Sequence, residues 1–502
     1  MGALVLAAGF TACSSDDDNQ GGTTNPVTSS AQILFNADGT ENSNGTEIGS
    51  GVQEFTFTGK QTLKKGVYTL RGWVYIADGA ELTIEPGTVI KGITKAALIA
   101  EPGGKLIAQG SQNSPIVFTS SKDAGSRKPG DWGGVIICGK APNNNGVLGQ
   151  QIEGGPRTKH GGTDAADNSG VLSYVRIEFA GYPFEKDKEI NGLTLGSVGT
   201  GTKIDHVQVS YSNDDSFEWF GGTVNCDHLI AYKGWDDDFD TDNGFSGNVQ
   251  FGLALRDSKI ADTSQSNGFE SDNNAGGTAS ATPVTSCTFS NITFIGPKAD
   301  ANFQNSTDYI TGGDYYPNNG SALGKFQSAM QIRRASKLNC VNSIAMDWPI
   351  GLILDGEKGN TVEEAKAGNI KLQNVWFANM DAVGTDANKE YSDILCTYVA
   401  GADGKRAIQR DSTQQSYSHT FFLAQQGNKY FADKGQLMLT TGKGITVPFM
   451  PEAGSPVFGA ASFAGLTGFT TVNYIGAFAN NDSWLDGWTN FDPQNTDYSS
   501  AK

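Results

Sequence analysis

Asp78-Gly-Ala-Glu-Leu-Thr-Ile84 and Pro102-Gly-Gly-Lys-Leu-Ile-Ala108 are the two stretches on which the fold reading turns. Each enters a short strand through a Gly-bearing turn, and Leu82 and Leu106 stand 106 − 82 = 24 residues apart. Around them lie further strand-like runs, Val67 to Ile76, Thr88 to Ile90, Ala97 to Ala100 and Ile116 to Thr119, with no helical periodicity. A repeat in the low twenties that holds several short strands is the signature of a solenoid coil, here a parallel β-helix. Gly at the corners fits, because each coil turns sharply and a positive φ costs Gly little.

The same beat continues downstream in Val175-Arg-Ile-Glu-Phe179, Val207-Gln-Val-Ser-Tyr211, Leu229-Ile-Ala-Tyr232, Gly252-Leu-Ala-Leu255 and Asn291-Ile-Thr-Phe-Ile295. Cys226, Cys287 and Cys340 each precede such a run and read as a buried small-residue stack. Spacing indicates no pairing among Cys138, Cys226, Cys287, Cys340 and Cys396. The polar, Gly/Asn-rich segments 142–168 and 300–321 read as loops leaving the coil. Beyond about Met380 the beat fades. The expectation is an all-β chain: a single-stranded right-handed parallel β-helix over 32–385, with long loops and a C-terminal β-rich cap over 386–502 that closes the open end. Thr420 to Ala424, Gln436 to Leu439 and Ile445 to Phe449 read as strands of that cap.

The chain has 502 residues, 65 of them Gly, and 54 acidic against 36 basic side chains give a net charge of -18. That balance argues against a nucleic-acid partner, whose phosphates need a clustered basic surface. No stretch after the first dozen residues approaches the ~20 apolar residues that span a bilayer. Residues 1–12 end in the apolar run Ala3-Leu-Val-Leu-Ala-Ala-Gly-Phe-Thr-Ala12 directly before Cys13, and read as a signal-peptide remnant. Cys13 in the first mature position resembles a bacterial lipoprotein box, which implies lipidation of Cys13 and an outer-membrane anchor. Residues 13–31, with Asp16, Asp17 and Asp18, read as a flexible tether. They are similar to the acidic export signal of surface lipoproteins of the Bacteroidota, which places the protein at the cell surface.

One cluster stands above the rest. Asp214-Asp-Ser-Phe-Glu-Trp-Phe-Gly-Gly222 is followed by Asp236-Asp-Asp-Phe-Asp-Thr-Asp-Asn-Gly244, and aligning the phenylalanines gives 239 − 217 = 22 residues, one coil. Ser266-Asn-Gly-Phe-Glu-Ser-Asp272 puts Phe269 in the same column. The alignment stacks Phe217, Phe239 and Phe269 inside, with Glu218, Asp240 and Glu270 in one outward column. Asp214 with Asp236 and Asp215 with Asp237 form two more, and Asp272 follows Glu270. Carboxylates ~5 Å apart repel by ~3 kcal/mol per pair at an effective dielectric near 20. Either some carry protons or a cation sits among them, and Ca²⁺ suits such a set of hard oxygens best. Capping of turns by Asp and Asn is the structural alternative, and catalysis a third.

Asn213-Asp-Asp-Ser-Phe-Glu-Trp219 resembles the Asp-Asp-Gly-Phe-Asp motif of calcium-dependent β-helix pectate lyases. That resemblance implies a metal set of Asp214, Asp215 and Glu218 with Asp236, Asp237 and Asp240 in the next rung. Ser216 replaces the Gly and Glu218 an Asp, and only Lys233 and Arg256 are on hand as a base. More widely, Gly130-Asp-Trp-Gly-Gly134, Ile152-Glu-Gly-Gly155, Ala231-Tyr-Lys-Gly234, Gly252-Leu-Ala-Leu-Arg256 and Gly487-Trp-Thr-Asn-Phe491 look like a family of large Bacteroidota surface lipoproteins with a β-helix.

Three functions follow as expectations. The first is a non-enzymatic surface β-helix with a Ca²⁺ site that binds an extended polymer, chiefly glycan, or an outer-membrane protein. Trp73, Trp132, Trp219, Trp235 and Trp348 are its candidate sugar platforms, with core or corner packing the favoured alternative for any single one. The second is a Ca²⁺-dependent polysaccharide lyase on uronic-acid polymers, and the third a structural stalk or adhesin. His160, His206, His228 and His419 lie in unrelated contexts and suggest no nucleophile set.

Overall fold

A computed structural model describes residues 33–146, 149–184, 189–401 and 406–501. The signal-peptide remnant 1–12, Cys13 and the tether 13–31 lie outside the described residues.

Short alternating segments cannot bury both faces alone, so each coil stacks on the last. Val67–Leu70, Trp73–Ile76 and Glu81–Ile84 make three sides of one coil, and Val89–Gly92, Ala97–Ala100 and Lys105–Gln109 the next. Leu82 pairs with Leu106 in parallel register. Repeated along the chain, this pairing builds parallel sheets of 15 and 11 strands among the described residues, a parallel β-helix. From Gly170 onward two sides fuse into long strands, including Lys203–Ser210, Cys226–Tyr232 and Asn248–Leu255. Each is bent at one residue of positive φ: Tyr174, His206, His228, Phe251, Asn291, Asn342 and Asn374, at φ of 50–60°. Tyr174, His206, His228 and Phe251 stack ring on ring along this bend, with centroids 4.3, 4.3 and 4.9 Å apart.

Phe217, Phe239 and Phe269 form the core column, fully buried, with ring centroids 5.6 and 5.9 Å apart. The cysteines depart from the stack expected of them. Cys226 and Cys340 share a column but are separated by Val249 and Phe289, and Cys287 precedes the column by two residues. All five described cysteines are buried and free.

The C-terminal segment 386–502 is strand-bearing as read, with Leu395–Ala400, Arg406–Asp411, Lys429–Phe431, Leu439–Gly442 and Ile445–Pro451, but two of its elements differ from the reading. Residues 417–424 form a helix, not a strand, whose Ser416 caps the His419 N–H. This helix closes the coil end, stacking Phe422 on Phe377 at 3.9 Å. It lies so close to the last coil that a side chain at Gly384 would meet the His419 nitrogen at 2.6 Å. Residues 434–437 are a 3-10 turn rather than a strand, while Ile445–Pro451 is a strand as read. Beyond it the chain runs back along the flank of the coils. Ser462 bonds Asn342, Thr470 bonds Gln250, Asn490 bonds Gln208 and Tyr498 bonds Glu178.

Candidate functional site

Strand alternation sends every second residue of the 11-stranded sheet outward. One outward column reads Tyr75, Ile99, Ile136, Thr194, Glu218, Asp240, Glu270, Gln331 and Ile353. Its first three members are apolar and packed with Ile152 and Ile190 from neighbouring loops. Its centre changes to three consecutive carboxylates, of which Glu218 is buried and Asp240 and Glu270 are half-buried.

The corner before each of these strands adds a second row. Gly192, Ser216 and Asp238 donate their N–H groups to the carbonyls of Asp215, Asp237 and Asn267, which aligns Asn191, Asp215, Asp237 and Asn267 from rung to rung. The Asp215 carboxylate accepts the Asp237 N–H at 2.8 Å, and the Asp237 carboxylate accepts the Asn267 N–H at 2.5 Å. These two aspartates therefore cap turns as well as carry charge.

Together the rows form a strip. Asp214, Asp215 and Asp236 place one oxygen each within 4.8 Å of one another, as do Asp215, Glu218 and Asp240, and Asp237, Asp240 and Glu270. Asp215 links the first two groups and Asp240 the last two. The strip is unevenly neutralised. Arg333 Nε lies 3.0 Å from Asp272 and its guanidinium also holds Glu270, while Arg334 reaches Asp272 at 2.6 Å. Asp214, Asp215, Glu218, Asp236 and Asp240 have no ion-pair partner among the described residues.

Burial first, and then the charges of their neighbours, raise the pKa of all five well above the usual carboxylate range. Asp237 is pushed by burial to about 6, held there by the Asn267 N–H and by Arg256 and Arg333. Buried oxygens of Asp236 and Asp240 lack a hydrogen-bond donor. Asn191, 1% exposed, donates its amide N–H to Glu218 and keeps its Oδ1 without a partner. Such a row of carboxylate and amide oxygens with spare lone pairs is a donor set that a hard cation could use.

Seven of the eight acidic residues named from sequence fall in the strip's three groups, while Asp272 lies outside them in ion pairs with Arg333 and Arg334. The two candidate bases do not serve the strip. Arg256 is fully buried and spent on Asp238 at 2.9 Å. Lys233 pairs with Asp257 at 3.3 Å and sits against the rings of Tyr211, Tyr232 and Tyr315. Sequence reasoning missed Asn191, Arg333 and Arg334. It also offered five tryptophans as sugar platforms, yet Trp132, Trp219, Trp235 and Trp348 are fully buried, and Trp73 packs edge-on against Phe184 at 5.3 Å.

A second group, His206, Asp227 and His228, also brings ligand atoms within 4.8 Å. Its two imidazoles are parallel to within 9° and 4.3 Å apart. Their lone pairs run side by side instead of converging, and both Nδ1 atoms already face Asp205 and Asp227.

Residues 55–421 match the family described as the pectate-lyase-like beta helix domain. The chain belongs to that family. Among solved structures this β-helix is similar to the crystal structure of Dettilon tailspike protein, at 13% identity and a TM-score of 0.25, over 69% of this chain and 64% of the tailspike chain. The chain thus spans under two-thirds of the tailspike's length. Curated proteins show no match. Within this pectate-lyase-like β-helix, Lys233, Arg256, Arg333 and Arg334 are all held in ion pairs with carboxylates.

Proposed function

We propose that the protein is a cation-dependent polymer-binding β-helix: the strip from Asp214 to Asp240 takes Ca²⁺, and the bound ion receives an acidic glycan. One observation carries this reading. Five carboxylates converge on one face without a counter-cation among the described residues, beside a buried amide oxygen with no partner. Asp215, Glu218 and Asp240, with Asn191 Oδ1, supply four oxygens, and Ca²⁺ takes six to eight. Carboxylates and hydroxyls of a sugar chain would complete the shell. An elongated solenoid suits an extended polymer, and the lipid anchor at Cys13 would present it at the cell surface, facing either glycan or an outer-membrane protein. The lyase reading needs an uncommitted base over the strip and is not favoured, because each of the four cations above is paired.

Affinity electrophoresis in gels containing polygalacturonate or alginate tests the proposal. Retardation with Ca²⁺ that disappears with chelator, and in Asp215→Asn/Asp240→Asn, is expected. Equal mobility under all conditions in every acidic polymer overturns the glycan reading. Release of unsaturated uronates, read by absorbance, would restore the lyase.

A further inference from the structure

The 11-stranded sheet continues past the carboxylate strip. Asp240 pairs with Glu270, Glu270 with Gln331, Gln331 with Ile353 and Ile353 with Thr385. At ~4.8 Å per rung these four steps reach ~19 Å beyond Asp240. There Asp386, next to Thr385, lines a cavity of about 300 Å³. Remote segments converge on it: the helix Thr361–Lys366, the hairpin of Leu395–Ala400 with Arg406–Asp411, and the start of the helix Tyr417–Ala424.

Val362, Leu395 and the half-buried rings of Tyr398 and Tyr417 give the cavity apolar surface. Arg406 lies over the Tyr398 ring at 5.8 Å, and Lys366 over the Tyr417 ring at 5.2 Å. Each ring steadies a cation at the cavity wall. Neither cation has an ion-pair partner among the described residues. Arg406 Nη1 donates to the Gly356 and Glu357 carbonyls at 2.5 and 2.9 Å, which fixes the guanidinium. Its Nε and Nη2 make no hydrogen bond among the described residues.

Two carboxylates share the cavity. Asp386 is spent, accepting the N–H groups of Cys396, Tyr417 and Ser418 and the Ser418 hydroxyl. The carboxylate of Glu363 is exposed and accepts no hydrogen bond among the described residues. A ligand that satisfies all these groups carries an anion for Arg406 and Lys366, a hydroxyl donor for Glu363 and an apolar face for the tyrosines. Inorganic phosphate lacks the apolar face and a neutral sugar lacks the charge.

We propose that this cavity is a metal-independent subsite for one acidic sugar residue, whose carboxylate is held by Arg406 and Lys366. The ligand class rests on the acidic-glycan reading above, but the subsite needs neither the strip nor its cation. A polymer laid along the sheet from Asp240 reaches it within four rungs. One such set of contacts is weak and does not retain the protein in a gel by itself.

Saturation-transfer NMR on the full-length protein in excess chelator, with digalacturonate and dimannuronate as probes, reads the subsite with no cation on the strip. Transfer to at least one of these acidic disaccharides is expected, with neutral digalactose binding roughly tenfold more weakly. Lys366→Glu reverses an exposed charge without entering the core, and Arg406→Gln removes the fixed guanidinium. Each is expected to raise the Kd about tenfold. No transfer to either acidic disaccharide, equal binding of digalactose, or a Kd unchanged by Lys366→Glu overturns the proposal. Transfer here together with gel mobility indifferent to Ca²⁺ overturns the role of the strip and sustains that of the cavity.

Discussion

Asp240→Asn should make the metal-free protein more stable at alkaline pH. Asp240 presents an oxygen within 4.8 Å of Asp215 and Glu218, neither of which has an ion-pair partner among the described residues. At that distance and an effective dielectric near 20, each fully charged pair costs about 3 kcal/mol. The folded chain lowers this cost by keeping protons: burial and mutual repulsion hold these carboxyls well above their usual pKa. The unfolded chain releases the same protons near pH 4. The native state therefore binds more protons than the unfolded state between pH 4 and the raised values, and stability falls as pH rises through that window. An amide at 240 removes both pairs and loses no native hydrogen bond, since no donor reaches the buried Asp240 Oδ1. A relief of about 3 kcal/mol corresponds to several degrees in Tm for a chain of this size. Calorimetry in chelator at pH 8 should show that rise, and at pH 4.5, where Asp240 is already protonated, the two proteins should melt together. Added Ca²⁺ should reverse the order at pH 8. A lower Tm for Asp240→Asn in chelator at pH 8, or an equal rise at both pH values, would refute the reasoning.

Three further outcomes follow from the packing. Arg256→Met strands the Asp238 carboxyl in a fully buried site and should cost about 3–5 kcal/mol in denaturant unfolding, while pairing it with Asp238→Asn should recover much of the loss. Phe239→Ala removes the central ring of the core column, between Phe217 and Phe269, and should cost about 3–5 kcal/mol by the same assay. Phe422→Ala uncovers Phe377 at the coil end, and hydrogen exchange should accelerate in Leu372–Ala378 and Ala382–Thr385 before it does in the Phe217 region.

The coil was legible because its signal is local. Leu82 and Leu106, and Phe217 and Phe239, lie one turn apart, so a fixed spacing puts each pair in register. The carboxylate column of Glu218, Asp240 and Glu270 follows from the same register. Charge partners from remote sequence were not legible in the same way. Arg333 meets Glu270 from 63 residues further on, after a long loop breaks the period. A signal was there: Met330-Gln-Ile-Arg333 continues the column of Phe269-Glu-Ser-Asp272, which sets Gln331 on Glu270. Tryptophan exposure was not legible, because an indole near a corner can turn into the core or meet a remote loop: Trp132 packs in the main core beside Phe118, and Trp235 meets Tyr316 of the 300–321 loop. The run of chain along the coil flank escaped detection because Asn342, Gln250 and Gln208 bond its backbone. Ser462, Thr470 and Asn490 share no side-chain pattern, so this packing left no periodic trace.

A crystal soaked in Ca²⁺ and measured for anomalous scattering tests the strip as a cation site. A difference peak is expected about 2.3–2.6 Å from oxygens of Asp215, Glu218 and Asp240. At saturating Ca²⁺, no peak there, with the three carboxyls sharing protons instead, would contradict it.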